Sequence, residues 1–145
     1  MSADAHPLAR WAPAIGWAML IFVASTSWFT GEHTGTIVIP ILAWLFPNAD
    51  RPTLLAAHAV IRKLGHFTEY LVFGVLIVRA LRDADEWRWR HAVMAIALAT
   101  LYAVTDEVHQ YFVPGRTAAV GDVVIDGFGA FAGQVVFALR QVVGR

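Results

Sequence analysis

The chemistry-bearing side chains of this 145-residue chain fall in three short runs. The first is Lys63, His66, Glu69 and Tyr70. The second is Asp106, Glu107, His109 and Gln110, and the third is Arg116, Asp122 and Asp126. Asp106 and Glu107 are adjacent, with Gln110 one turn on, which makes this the densest cluster. Neighbouring carboxylates in a poorly hydrated site do not both ionise freely, which suits one of them to acid/base work or to anchoring a polar ligand. Successive residues lie about 100° apart on a helix, so the two need not face one ligand. The competing structural role is an ion pair from Asp106 to Lys63 or Arg116 that locks helices together. Arg116 follows Pro114-Gly115, and its planar fork suits a phosphate or a carboxylate. Its structural alternative is an internal pair with Asp122 or Glu69. Lys63 has the same two uses, with lipid phosphate as a third partner.

His66 and Glu69 form an HxxE pair, and Asp106 and His109 a DxxH pair. Carboxylate–His pairs at this spacing bind metals in helical bundles, and both pairs together would make a zinc- or iron-type set. The spacing recurs by chance. The expectation is therefore a hydrogen-bonded, proton-sensitive His66, with no metal and no other cofactor. Thr68 and Thr117 lie near the clusters, but no nucleophile elbow and no Gly-rich phosphate loop accompanies them. The absence of Cys excludes disulfides, thiolate metal sites and c-type haem. Eleven Lys+Arg balance eleven Asp+Glu, so no basic excess points to nucleic acid. Whether the chain is an enzyme stays open at this level. Glu69, Asp106, Glu107 and His66 are the catalytic candidates.

The elements that position these residues belong in a membrane. Apolar residues make up 58% of the chain and charged residues 15%, and the mean hydropathy is +0.57. The length suits one domain over residues 1–145. Four apolar segments, at about 11–29, 62–81, 91–113 and 121–139, are long enough to cross a bilayer, which takes about 20 residues. Each must satisfy its own backbone in lipid, so the prediction is an all-α protein with four transmembrane helices. A small-residue run, Ala24-Ser25-Thr26-Ser27, makes a cleaved leader the alternative reading of the first segment. The length of that segment and the apolar remainder favour a crossing. Thr36–Phe46 has eleven residues with Pro40 near its middle, too short to span, and reads as an interfacial or re-entrant piece. Pro47 to Pro52 is a break, after which Thr53 reads as the N-cap of a helix entering the second crossing. Asp83-Ala84-Asp85-Glu86 is a polar connector. The six Trp read mostly as interfacial anchors.

Seven basic residues fall on the side holding both termini and four on the other, which predicts both termini inside. The second segment then starts outside, the third ends outside and the fourth starts outside, so all three polar clusters lie at one membrane face. Ionisable residues within crossings face a protein interior or a wet cavity, so they read as a site. Lys63, His66, Tyr70, Phe73 and Ile77 share one helical face with Glu69 at its edge. Asp122, Asp126, Gly129 and Gly133 form one stripe. Its GxxxG pair admits a close helix neighbour.

These residues in this order resemble the VanZ-like family of small bacterial membrane proteins: Arg62-Lys63-x-x-His66-Phe67-x-Glu69-Tyr70, then Asp106-Glu107-x-x-Gln110-x-Phe112-x-Pro114-Gly115-Arg116, then Asp122 with Gly129 and Gly133. The likeness runs from about Arg62 to Gln134, roughly half the chain. Asp126 departs from the pattern, which commonly has Asn there. The resemblance implies an integral protein of the bacterial inner membrane and cell envelope, in a family whose founding member is associated with reduced susceptibility to teicoplanin. The expected ligand-binding set is Lys63, His66, Glu69, Tyr70, Asp106, Glu107, Gln110, Arg116, Asp122 and Asp126. The expected partners are membrane lipids and a cell-wall precursor or lipid-linked ligand. A membrane acid/base enzyme on such a substrate is the alternative. A transporter is a third class, for which four crossings would call for a homo-oligomer, and a structural partner of larger machinery is a fourth.

Overall fold

The structure is a computed structural model that describes residues 7–82, 88–116 and 118–143. The polar connector at Asp83–Glu86, the anchor Trp87, Thr117 and Arg145 lie outside the described residues. Five helices follow one another: α1 (Pro7–Ala24), α2 (Gly31–Leu45), α3 (Arg51–Leu81), α4 (Trp89–Tyr111) and α5 (Val120–Val143). A single 3-10 turn at Ser27–Phe29 joins α1 to α2. There is no strand among the described residues. α3, α4 and α5 are each long and apolar enough to cross a membrane, and α1 and α2 form a pair bent by 66° that supplies up to a fourth span.

The helix limits differ from the expected boundaries in three places. The first helix ends at Ala24 rather than 29. Ser25 leaves the helix to bond elsewhere, and Thr30 opens α2 by accepting the His33 N–H at 3.2 Å. Thr36–Leu45 makes up most of α2, a 15-residue helix that Phe46 closes as its C-cap, and its 66° bend from α1 is compatible with the expected re-entrant piece. The helix begins five residues earlier than its apolar part because Thr30 caps it there. Thr53 is not the N-cap of α3. Asp50 is, its side chain accepting the Thr53 N–H at 3.0 Å, with Pro52 in the first turn where a missing N–H costs nothing. Hydrogen bonding from the Thr53 side chain, and then from its N–H, holds the Asp50 carboxyl below the usual carboxylate range. α3 therefore starts at Arg51 rather than 62 and runs for 31 residues, about 46 Å at 1.5 Å per residue.

Close approach of α3 and α5 organises the bundle. A Cβ at Gly129 would strike the Phe67 carbonyl oxygen, and one at Gly133 the Leu71 carbonyl oxygen. On the facing helix, a Cβ at Gly74 would lie 2.9 Å from the Ala130 carbonyl oxygen. The GxxxG stripe is thus used within the chain. α4 joins through Ala95, Ala99 and Ala103, each fully buried, at the spacing of one helical face. Two hydrogen bonds tie the body of α1 to α3 and α4. Trp17 Nε1 donates to the Glu69 carbonyl at 2.9 Å, and Tyr102 Oη donates to the Ala18 carbonyl at 2.7 Å. Trp11 and Trp17 therefore pack on the core rather than anchoring at an interface, whereas Trp28, Trp44 and Trp89 are exposed. Large apolar side chains such as Leu101, Phe128 and Phe131 point outward, as a surface solvated by lipid tails permits.

Candidate functional site

The polar clusters meet where α1 ends, α4 ends and α5 begins, against the middle of α3. Asp106 is the most heavily bonded of the carboxylates. Ser25 Oγ donates to its Oδ2 at 2.8 Å, and Gln110 Nε2 donates to the same oxygen at 2.9 Å. Gln110 Nε2 also lies 3.3 Å from Ser25 Oγ. All three residues are buried. The expected ion pair from Asp106 to Lys63 or Arg116 is absent, because the end of α1 inserts Ser25 at that place. Lys63 Nζ instead pairs with Asp122 Oδ1 at 2.7 Å, on the exposed rim.

Arg116 does not pair with Asp122 or Glu69 either. Its Nη1 donates to the Phe29 carbonyl at 2.8 Å and its Nη2 to the Ala24 carbonyl at 3.1 Å. The last carbonyls of a helix lack intrahelical donors, and a guanidinium reaches two such oxygens at once. Arg116 thus clamps the α1–α2 bend to the loop between α4 and α5. Its Nε is buried with no hydrogen-bond partner. Burial first, and then the nearby Arg62 charge, push Arg116 below the ordinary arginine range.

Beneath His66 lies Asp126, only 1% exposed. His66 Nδ1 is 3.4 Å from Asp126 Oδ1, an ion-pair distance without hydrogen-bond geometry, and both Asp126 oxygens lack a hydrogen-bond partner. Tyr70 is fully buried with an unpartnered hydroxyl. Asp106 and Asp126 both act on it electrostatically. Glu69 feels the charges of His66, Asp126, Asp106 and Arg116. The structure therefore gathers His66, Glu69, Tyr70, Asp106, Gln110 and Asp126, with Arg116 above them. Lys63 and Asp122 stand at the rim. Glu107 turns away, accepting the Ala119 N–H at 2.7 Å beside a separate, largely apolar cavity that Tyr111 and Val123 also line.

The two carboxylate–His pairs do not close into one ligand set. The His109 ring stacks on Phe22 with centroids 4.7 Å apart, and no group of three His, Asp or Glu among the described residues is arranged to hold a metal ion.

A cavity of about 160 Å³ opens over this cluster, lined by Ser25, Arg62, His66, Glu69 and Arg116 among others. A second, of about 360 Å³, shares Arg62 and His66 and adds His58, Lys63 and Asp122. Arg62 stands between the two cavities and makes no hydrogen bond or ion pair among the described residues. Sequence reasoning placed Arg62 in a motif without assigning it to the site, and it missed Ser25 altogether. Arg62 lies one turn before His66 on α3, so helical spacing was a signal for it. Ser25 is 81 residues from Asp106 and left no local signal.

Searches against curated proteins and against solved structures find no match. A family model does match, and it reaches beyond the Arg62–Gln134 motifs to take in α1, the bend and α2. Over residues 11–141 the chain fits the VanZ/LLP1 model, and it belongs to that family.

Proposed function

We propose that the protein is an integral component of the bacterial cytoplasmic membrane with both termini inside, and that its outward-facing pocket binds the anionic head of a cell-wall, lipid-linked or glycopeptide-type ligand. The observation that carries this reading is the pair Arg62 and Arg116 at one cavity, with Ser25, His66 and Glu69 below them. Two guanidiniums at a site of low hydration attract a phosphate or carboxylate strongly. Among the described residues Arg62 has no internal partner to give up, so binding there costs no existing ion pair. Membership of the VanZ/LLP1 family supports an envelope role, with teicoplanin susceptibility as the phenotype to measure. The distribution of basic residues supports the orientation.

The test is native mass spectrometry of the purified chain. A co-purifying anionic envelope molecule is expected, and Arg62→Gln is expected to lose it while the protein stays folded. Retention of the same molecule by that variant would defeat the reading.

A second reading is favoured by one specific contact. His66 at 3.4 Å from Asp126, beside Glu69, is a proton-handling arrangement suited to general acid/base chemistry on such a ligand. On that reading, His66→Gln abolishes turnover of a lipid-linked substrate without loss of folded protein. Equal turnover by the variant would remove His66 from the chemistry.

A further inference from the structure

Glu107 is 7% exposed, and its two oxygens have unequal surroundings. Oε2 accepts the Ala119 N–H at 2.7 Å, while Oε1 is buried without a hydrogen-bond partner. The residue lines a cavity of about 380 Å³ between the end of α4 and the start of α5. Apart from Glu107 and Tyr111, every side chain of that lining is Val or Ala, and none is basic. Val108, Tyr111 and Val120 are exposed on the outside of the bundle, so the cavity opens toward lipid. It shares no lining residue with the cavity of Ser25 and Arg116, and it meets that of Lys63 only at Ala119.

A carboxylate taken out of water needs a cation or several donors to balance the lost hydration. One backbone N–H is short of that. Asp122 and Asp106 make the potential at Glu107 more negative, and His66 opposes them. A cation from outside the chain therefore fits, and the walls select among cations. A hydrated divalent ion would have to shed water against valines, with a single carboxyl in exchange. A soluble amine or a basic peptide would lay a polar body against Val104 and Val108. A bilayer molecule with a primary ammonium beside an apolar body matches both the carboxyl and the walls. The depth agrees, because α4 ends and α5 begins here, and Tyr111 and Phe112 are exposed at that level as interfacial aromatics are.

We propose that this cavity holds an aminophospholipid, its ammonium donating to Glu107 Oε1 and its glycerol end lying against Val104, Val108 and Val123. The site is distinct from the anion pocket and does not depend on what that pocket binds. The apolar walls add little affinity, since a lipid tail meets equivalent hydrocarbon everywhere in the bilayer. Selectivity lies in the ammonium, whose three N–H donors can reach a carboxyl oxygen directly. The trimethylammonium of phosphatidylcholine carries the same charge with no N–H.

The experiment places the full chain in mixed nanodiscs of dioleoyl phosphatidylethanolamine and dioleoyl phosphatidylcholine, and native mass spectrometry reads which lipid stays bound. The ethanolamine lipid should be preferred by about fivefold or more, the worth of a charge-assisted hydrogen bond. Glu107→Gln can still accept the Ala119 N–H and should abolish the preference. A second measurement needs no variant. Dicyclohexylcarbodiimide partitions into the bilayer and activates carboxyls in apolar surroundings. A primary amine in contact then attacks the activated carbon, forming an amide and releasing dicyclohexylurea, which carries off the carboxyl oxygen. Peptide mapping should place the phosphatidylethanolamine amide on Glu107, and Arg62→Gln should leave its yield unchanged. Equal retention of the two lipids, or a preference that survives Glu107→Gln, would overturn the proposal. So would lipid amides on exposed carboxyls such as Glu32 and Asp50 with none on Glu107. Loss of the amide in Arg62→Gln would seat the lipid in the arginine cavity and overturn it equally.

Discussion

At the scale of single residues, Asp126 and Ser25 show opposite ways of burying polarity. Asp126 is 1% exposed, with neither oxygen hydrogen-bonded and His66 3.4 Å away. A buried carboxylate without hydrogen bonds works against folding unless a counter-charge compensates it. Asp126→Asn keeps the shape and removes the charge, so its resistance to dodecyl sulfate unfolding in mixed micelles should equal or exceed that of the parent. A clear loss of resistance would mean that the His66 contact holds α3 and α5 together. Ser25 is the converse case, because its hydroxyl is one of two donors to Asp106 Oδ2. Ser25→Ala leaves Gln110 alone to satisfy that oxygen and should cost about 1–3 kcal/mol in the same assay. A neutral outcome would show that water replaces the hydroxyl.

At the scale of elements, the contact between α3 and α5 and the clamp at Arg116 decide the geometry of the site. Gly129 faces the Phe67 carbonyl, so no side chain fits there without parting the helices. Gly129→Val should destabilise the bundle by about 1–3 kcal/mol, the ordinary cost of overpacking. Gly16, where a Cβ would meet nothing within 4 Å, supplies the control. Gly16→Ala should be neutral or stabilising by up to about 1 kcal/mol. Arg116 holds two carbonyls on either side of the α1–α2 bend, a grip that a lysine ammonium cannot reproduce with its single nitrogen. Arg116→Lys should therefore speed amide hydrogen exchange at residues 25–31 while α4 and α5 exchange as before. Unchanged exchange at the bend would show that Thr30 capping is enough to hold it.

At the scale of the whole molecule, the property to test is orientation. The chain contains no Cys, so single cysteines report cleanly on sidedness. In spheroplasts, an impermeant maleimide should label Asp50→Cys directly and Arg88→Cys only after the membrane is opened. The reverse pattern would turn the pocket toward the cytoplasm and remove extracytoplasmic ligands from consideration.

Much of this architecture was readable in the residues themselves. Apolar length is a local property, and it settled that the chain forms long, membrane-type helices, because lipid leaves a spanning backbone few other partners. The order of those helices also settled that Glu69, Asp106 and Asp126 sit near one end of the bundle, since antiparallel neighbours bring alternate ends together. What the residues could not disclose is who bonds to whom. Asp106 had Lys63 and Arg116 as sequence candidates, yet it took Ser25 and Gln110. Arg116 took backbone carbonyls, and Arg62 was left to face the cavity. Those choices follow from how far each helix is rotated and where α1 stops against α4. Both are set by contacts between residues far apart in the chain, such as Gly129 on Phe67 and Trp17 on Glu69. Partners at similar distances in a bundle differ by a helical turn, and only the packed molecule selects among them.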